Sequence, residues 1–185
     1  TPSVTGSTTY YAEADDGTCK SATREQAAIT INALPTVDLG IDKEKCAGDS
    51  VILSVSGGTY KWSNIGCIDN APCVAKTQGT HKVSLTDIQG CTDEDDILIT
   101  INPNPTVDFV ANDSVNGCAP LPVEFTDQTV PAGDYTYTWN FGDTTSATNT
   151  ETGKTATHRF ARAGEYDISL TVLTDKNCIG STTKY

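Results

Sequence analysis

The side chains whose type and spacing come closest to a metal site are four consecutive carboxylates, Asp93, Glu94, Asp95 and Asp96. Clustered carboxylate oxygens suit Ca²⁺, which takes only oxygen ligands. The stretch lacks the alternating spacing of a dedicated calcium loop, so a solvated strand entrance is the simpler interpretation. We predict no cofactor for the chain and keep calcium at these four residues as the one candidate.

Seven cysteines and two histidines are the remaining candidate ligands and nucleophiles. Cys67 and Cys73 form the only close cysteine pair, no Cys-x-x-Cys occurs, and neither histidine lies near them in the sequence. Structural zinc sites combine such residues at short, regular spacings. We therefore predict disulfides and not a zinc site, which indicates an oxidising, extracellular or cell-surface location.

The sequence contains none of the catalytic motifs considered for its remaining Ser, His, Asp and Glu residues. The sequence has no phosphate-binding glycine loop, no His-Glu-x-x-His and no support for a Ser-His-Asp triad. Asp143 is expected to bind backbone amides of its own turn, His158 to pack against that turn, and His81 to lie on a strand surface. Trp62 and Trp139 are expected in the core. We predict that the chain is not an enzyme.

The charge excludes further classes of function. The 185 residues include 24 acidic and 12 basic side chains, for a formal net charge of -12. Nucleic-acid binding needs Lys and Arg to neutralise phosphates, and anionic membrane surfaces repel acidic proteins. Because no apolar run reaches the length of a membrane helix, we expect neither nucleic-acid binding nor membrane insertion.

The apolar residues alternate in short runs, which is the pattern of half-buried strands. Turn-forming Gly, Asn and Asp residues separate the runs, and no segment has helical spacing over three turns. The sequence therefore predicts an all-β, elongated chain of tandem antiparallel β-sandwiches. The alternating runs are Val51/Leu53/Val55, Tyr60/Trp62, Val83/Leu85, Val123/Phe125, Tyr135/Tyr137/Trp139 and Tyr166/Ile168/Leu170/Val172.

An internal repeat marks the domain boundaries. The segment from Ile31 to Leu39 resembles the segment from Ile101 to Phe109, and both contain a Pro-bearing linker between two strands. We predict three parts: the closing strands of an incomplete sandwich at 1–34, a full sandwich at 35–104, and a second full sandwich at 105–185.

The two larger parts align with each other, and the alignment suggests disulfides. Each has a cysteine before its first strands and a cysteine after its last hairpin turn. We therefore predict Cys46–Cys91 and Cys118–Cys178, with Cys67–Cys73 as a local staple. Cys19 corresponds to Cys91 by position and is predicted to be unpaired within this sequence, with its partner upstream of Thr1.

Residues 105–185 contain the run Trp139, Asn140, Phe141, Gly142, Asp143. This run is similar to the W-x-F-G-D signature of the PKD (polycystic kidney disease) domain family, and Thr144 departs from the usual following Gly. His158 with Phe160, and then the stretch from Gly164 to Val172, resemble the family's closing strands. The resemblance implies a β-sandwich that acts as a spacer or adhesive element.

The segment from Thr9 to Ala14 and the segment from Gly17 to Arg24 have the pattern of a closing hairpin. They carry a resemblance of residues 1–34 and 35–104 to the Ig-like modules of large Bacteroidota surface proteins, including gliding-motility adhesins and type IX secretion cargo. It implies a non-enzymatic stalk and adhesive segment of a long secreted or cell-surface protein. Its implied partners are other modules of the same chain and a glycan or surface ligand.

Two alternatives remain open. The first is a carbohydrate-binding accessory module of a secreted polysaccharide-degrading enzyme, with Tyr10, Tyr11 and Tyr135 as candidate sugar platforms. The second is a subunit of an extracellular filament that associates by strand addition at exposed sheet edges.

Overall fold

A computed structural model of the chain describes residues 5–63, 66–111 and 115–185, and every regular element in them is a β-strand. The all-β prediction is confirmed, because alternating sequences of this kind bury one face of a sheet. The strands are β1 (Thr8–Ala12), β2 (Glu25–Ile29), β3 (Lys43–Cys46), β4 (Val51–Leu53), β5 (Thr59–Trp62), β6 (Cys73–Ala75), β7 (Gly79–Thr86), β8 (Thr92–Asn102), β9 (Phe109–Ala111), β10 (Leu121–Asp127), β11 (Thr136–Asn140), β12 (Thr150–Glu151), β13 (Thr155–Phe160), β14 (Ile168–Leu173) and β15 (Ile179–Lys184).

The strands form five sheets in the described residues. Their orders are β1-β2, β4-β6, β3-β8-β7-β5, β13-β10-β9 and β12-β11-β14-β15. The pairing of β3 with β8 is parallel, which departs from the predicted antiparallel arrangement, and it places Cys46 opposite Asn102. No described helix is long and apolar enough to cross a membrane.

Contacts divide the chain into two compact units. The first comprises Thr1–Gly40, Ile52–Val74 and Thr80–Ile97, and the second comprises Ile41–Val51, Ala75–Gly79 and Leu98–Tyr185. The predicted boundaries after residues 34 and 104 stay a prediction. Buried residues of the first unit alternate along its strands, and they include Leu53, Tyr60, Trp62, Cys73, His81, Val83, Leu85 and Ile97.

The second unit has an aromatic core built around Trp139. The rings of Phe109 and Phe125 lie 5.2 and 6.0 Å from the Trp139 ring, and Phe125 stacks on Phe141 at 5.7 Å. Such aromatic pairs stabilise a core beyond their buried area alone. The remaining members of this core are Val123, Tyr137, Ala156, Phe160, Ile168, Leu170 and Val172.

Within the first unit, every residue of the β1-β2 pair is exposed except Tyr10, which is half-buried. The two strands pair from Thr8 opposite Ile29 to Ala12 opposite Glu25, and every residue of β2 is exposed. A two-stranded hairpin alone is marginally stable in water, because it buries little apolar surface.

The disulfides differ from the predicted pairings. Cys46 is bonded to Cys178, with Cα atoms 5.4 Å apart, and Cys67 is bonded to Cys73. Cys19, Cys91 and Cys118 are free thiols. The predicted Cys46–Cys91 and Cys118–Cys178 bonds are therefore wrong for this structure, whereas the Cys67–Cys73 pairing is as predicted. The predicted partner of Cys19 upstream of Thr1 stays a prediction.

The strand registers explain why the two predicted bonds do not form. Cys46 lies opposite Asn102 at the end of β8, whereas Cys91 directly precedes the start of that strand. An extended strand of this length spans about 33 Å, far more than the roughly 7 Å between Cα atoms that a disulfide allows.

Cys118 and Cys178 lie at opposite ends of their sandwich. Cys118 precedes Leu121, which pairs with Phe160, and the chain then leads from Phe160 to the start of β14. Cys178 instead follows the other end of β14, in the turn after Leu173. The alignment of the two sequence repeats located the turns correctly. It carried no information on which strand ends lie close enough together for their cysteines to bond.

Candidate functional site

The Trp139–Asp143 segment forms a tight turn at the end of β11. The side-chain oxygen of Asn140 accepts a hydrogen bond from the Gly142 amide at 2.9 Å. Gly142 has φ +67°, and a Cβ atom there would lie 2.7 Å from the Asp167 carbonyl oxygen. Only glycine fits this combination of left-handed backbone and close approach, so the turn depends on it.

The turn places Asp143 against His158 of β13. Nε2 of His158 lies 3.2 Å from Oδ2 of Asp143, and the two side chains are 1% and 5% exposed. The other carboxylate oxygen accepts hydrogen bonds from the Thr145 amide and hydroxyl, at 3.2 and 2.8 Å. Asp143 therefore binds its own turn, as expected, and also ties that turn to β13.

Aromatic rings enclose the imidazole of His158. Phe141 stacks on it with ring centroids 4.5 Å apart, and Phe160 meets it edge-on at 4.7 Å. The hydrogen bonds from His158 and then Thr145 lower the pKa of Asp143. An acid-base pair of this kind is a catalytic candidate only when substrate can reach it. Here both side chains are buried, and aromatic rings pack against His158.

The acidic stretch of β8 is divided between two faces of the strand. The carboxylates of Asp93 and Asp95 accept hydrogen bonds from the amides of Val37 and Leu39, at 3.0 and 2.6 Å. Glu94 points the other way, to Lys82 at 2.6 Å, and this contact raises the pKa of Lys82. Because successive strand residues face opposite sides, Asp93, Glu94, Asp95 and Asp96 do not converge on one ion.

A different cluster converges. One ligand atom each from Cys67, Cys73 and His81 lies within 4.8 Å of the others, and no other described group of three His, Cys, Asp or Glu does so. His81 is 5% exposed, so the expectation that it lies on a strand surface is wrong. The period-two pattern of β7 could have shown this, because His81, Val83 and Leu85 occupy one face.

The candidate sugar platforms Tyr10, Tyr11 and Tyr135 differ in their local surroundings. Tyr10 and Tyr11 are neighbours in β1 and face opposite sides, and Tyr11 is 62% exposed. Tyr135 donates a hydrogen bond to the Pro131 carbonyl at 2.5 Å, and Gly133 lies against its ring. Tyr135 therefore stabilises the conformation of its own loop.

Comparison with known proteins finds one family match and similarities to solved structures. The model of the PKD domain family matches residues 102–185. Among solved structures, extracellular domains 3–5 of Drosophila OTK are similar at 11% identity and a TM-score of 0.47, over 96% of this chain and 69% of that chain. DIP-gamma IG1+IG2 is similar at 11% identity and a TM-score of 0.33, over 80% of this chain and 93% of that one.

No curated protein matches the chain. The family match includes the Trp139–Asp143 turn, its partner His158 and the aromatic core around Trp139. Residues 102–185 are therefore similar to the PKD domain family.

Proposed function

We propose that the chain is a non-enzymatic stalk and adhesive segment of a long secreted or cell-surface multi-domain protein. The sequence resemblance to Bacteroidota surface proteins, of the gliding-adhesin or type IX secretion type, supports this assignment. Other modules of the same chain and a surface ligand are the proposed partners. Disulfide bonds fit an extracellular location, because cytosolic thiols are kept reduced.

The observation that carries the stalk role is the covalent bond between Cys46 and Cys178, which are 132 residues apart. Tension applied to the two chain ends would pass from Cys46 through the sulfurs to Cys178. While this bond is intact, that tension could not extend the peptide between the two cysteines, which includes the aromatic core around Trp139. A disulfide in this position suits a segment that has to keep its fold under tension.

The buried Asp143–His158 pair supports a structural role in the same way. Its hydrogen bond joins a turn to a strand, and the imidazole ring of His158 is packed between Phe141 and Phe160. These are the groups in the PKD-like unit best suited to acid-base chemistry, and the fold uses them for cohesion.

Single-molecule stretching of the full chain from its two ends tests the proposal. Without reductant, the residues between Cys46 and Cys178 should add no contour length. With reductant, unfolding should add about 45 nm, at up to 3.6 Å per residue. A Cys46→Ser/Cys178→Ser variant should show this gain without reductant, and the same gain in the oxidised wild type would contradict the proposal.

Self-association by strand addition is a second candidate, favoured by the exposed β1-β2 hairpin. Among the residues that the structure describes, each of its strands has one edge without a strand neighbour. Unpaired backbone edges template pairing with further chains. Light scattering across a range of protein concentrations tests it. Growth in mass with concentration supports strand addition, and a constant monomer mass argues against it.

A carbohydrate-binding role depends chiefly on the exposed ring of Tyr11. Sugar binding usually combines aromatic stacking with nearby polar groups. A glycan array probed with the wild type and with Tyr11→Ala tests this role. Binding by the wild type that Tyr11→Ala abolishes would support it, and absence of binding by the wild type would contradict it.

A further inference from the structure

The cluster of Cys67, Cys73 and His81 lies within the first unit and contributes nothing to the proposed stalk role. Cys73 is 1% exposed and His81 is nearly as buried, whereas Cys67 is half-buried. Cys73 opens β6 and His81 lies in β7, so two strands hold two of the ligand atoms. Because Cys67 is partly exposed, a metal ion or a reductant could reach the cluster from solvent at this residue.

We propose that Cys67, Cys73 and His81 form a zinc site when the Cys67–Cys73 disulfide is reduced. Two thiolates and one imidazole are typical ligands of Zn²⁺, and a solvent molecule commonly fills the fourth position. Soft sulfur ligands also disfavour Ca²⁺ and Mg²⁺. The bound form is electrically neutral, because two thiolates balance the divalent ion, and neutrality suits a site with little solvent.

The dimensions of the cluster agree with zinc coordination. Zn–S bonds of about 2.3 Å and Zn–N bonds of about 2.0 Å place tetrahedral ligand atoms about 3.5 to 3.8 Å apart. The three ligand atoms already lie within 4.8 Å of one another. After reduction the two sulfurs are no longer bonded and can separate to the tetrahedral spacing of about 3.8 Å. Side-chain rotations that move each sulfur by about 1 Å would then complete the site.

Hydrogen bonds to β5 hold the loop that carries both cysteines, in addition to the disulfide. The amide of Tyr60 donates to the Asn70 side chain at 2.7 Å, and the Asn70 amide donates back to the Tyr60 carbonyl at 3.0 Å. The amide of Trp62 donates to Asp69, and its indole Nε1 donates to the Ala71 carbonyl, both at 3.0 Å. Four hydrogen bonds to β5 would keep the thiols beside His81 after reduction.

The redox step has a defined balance. A phosphine attacks one sulfur, the S–S bond breaks, and hydrolysis by one water molecule yields phosphine oxide and two thiols. Zn²⁺ binding then releases both thiol protons, since thiolates are the ligands. The disulfide and the zinc complex are thus alternative states of the same two cysteines.

The test uses the full chain, reduced with a phosphine and then desalted without oxygen. Titration with Co²⁺, a spectroscopic substitute for Zn²⁺, should saturate at one ion per chain with thiolate charge-transfer absorption, and Zn²⁺ should remove the signal. The oxidised chain should show no such absorption. Absence of stoichiometric Co²⁺ binding by the reduced chain would overturn the proposal.

Variants assign the ligands. Cys73→Ser should abolish the charge-transfer band, and His81→Gln should weaken Co²⁺ binding by about tenfold or more, because it removes a direct ligand. Matched controls are Cys46→Ser/Cys178→Ser and Cys19→Ser/Cys91→Ser/Cys118→Ser, which should both retain the band. Binding that survives Cys73→Ser, or that disappears in either control, contradicts the assignment.

One measurement needs no substitution and so does not depend on a variant folding. X-ray absorption at the zinc edge of the reduced wild type should show two sulfurs at about 2.3 Å and nitrogen or oxygen at about 2.0 Å. Four sulfur ligands, or none, would overturn the proposed site.

Discussion

Nε2 of His158 donates toward Oδ2 of Asp143 across 3.2 Å, and neither side chain has appreciable contact with solvent. The contact joins the turn after β11 to the middle of β13, so it links one sheet of the PKD-like unit to the other. Stability and pH should therefore be coupled through this pair.

Acid should remove the stabilisation that Asp143 provides. Hydrogen bonds from His158 and Thr145 lower its pKa below the usual 3.8. A carboxyl whose pKa is lowered on folding stabilises the fold fully above its unfolded pKa, and this contribution is lost as the pH falls through the folded pKa. Urea unfolding from pH 6 to pH 2 should show Asp143→Asn less stable than wild type at pH 6, with a difference that shrinks below about pH 4. A constant difference down to pH 2 would refute the coupling.

Leu170 tests the core of the PKD-like unit. Its side chain is fully buried between Ile168 and Val172 on the inner face of β14. Leu170→Ala should lower the free energy of unfolding by about 3 kcal/mol, because it removes buried methyl groups and leaves a cavity. Ile179→Ala is the matched control, and with an exposed side chain it should cost less than about 0.5 kcal/mol. Equal costs for the two in chemical denaturation would contradict the assigned core.

Two tyrosine loops offer a matched pair of glycine substitutions. Tyr135 and Tyr166 each donate a hydrogen bond to the carbonyl four residues earlier, with a glycine between. A Cβ atom at Gly133 would lie 2.9 Å from the Tyr135 ring, whereas one at Gly164 would lie 3.5 Å from the Tyr166 ring. Gly133→Ala should therefore cost about 1 to 2 kcal/mol by overpacking, and Gly164→Ala should be near neutral.

The mechanism at Gly133 has its own check. Displacing the Tyr135 ring would break its bond to the Pro131 carbonyl, so Tyr135→Phe should reduce the additional cost of Gly133→Ala. Thermal unfolding of the four proteins in this cycle gives the coupling. Full additivity would mean that the ring and the new methyl group do not interfere.

The disulfide pairing predicts which cysteines react in the native protein. Alkylation without reductant should modify Cys19, Cys91 and Cys118, and peptide mapping should recover Cys46 linked to Cys178. The Cys46→Ser/Cys178→Ser variant should lose about 2 to 4 kcal/mol of stability, because the crosslink restricts a long loop in the unfolded chain. Recovery of Cys46–Cys91 and Cys118–Cys178 peptides would instead support the internal alignment of the two sandwiches.

Local pattern was sufficient to identify several of the strands, among them β5, β10, β11 and β14, and the buried face of each. Trp62, Trp139 and Leu170 lie inside because their neighbours two positions away are also apolar, and the turn from Asn140 to Asp143 was recognisable from its residues alone. The same alternation predicts that His81 is buried, because His81 lies on one face of β7 with Val83 and Leu85. Its residue type suggested a surface position instead.

By itself, then, the sequence determined the all-β class, the alternation of buried and exposed side chains, the Cys67–Cys73 staple and the Asp143 turn, since each depends on residues close together in the chain. Only the tertiary structure decided that Cys46 meets Cys178 and that His81 joins Cys67 and Cys73. Periodicity specifies which face of a strand is buried but not which strand lies beside it. Partners that are distant in sequence therefore follow from register and topology, here the parallel pairing of β3 with the end of β8.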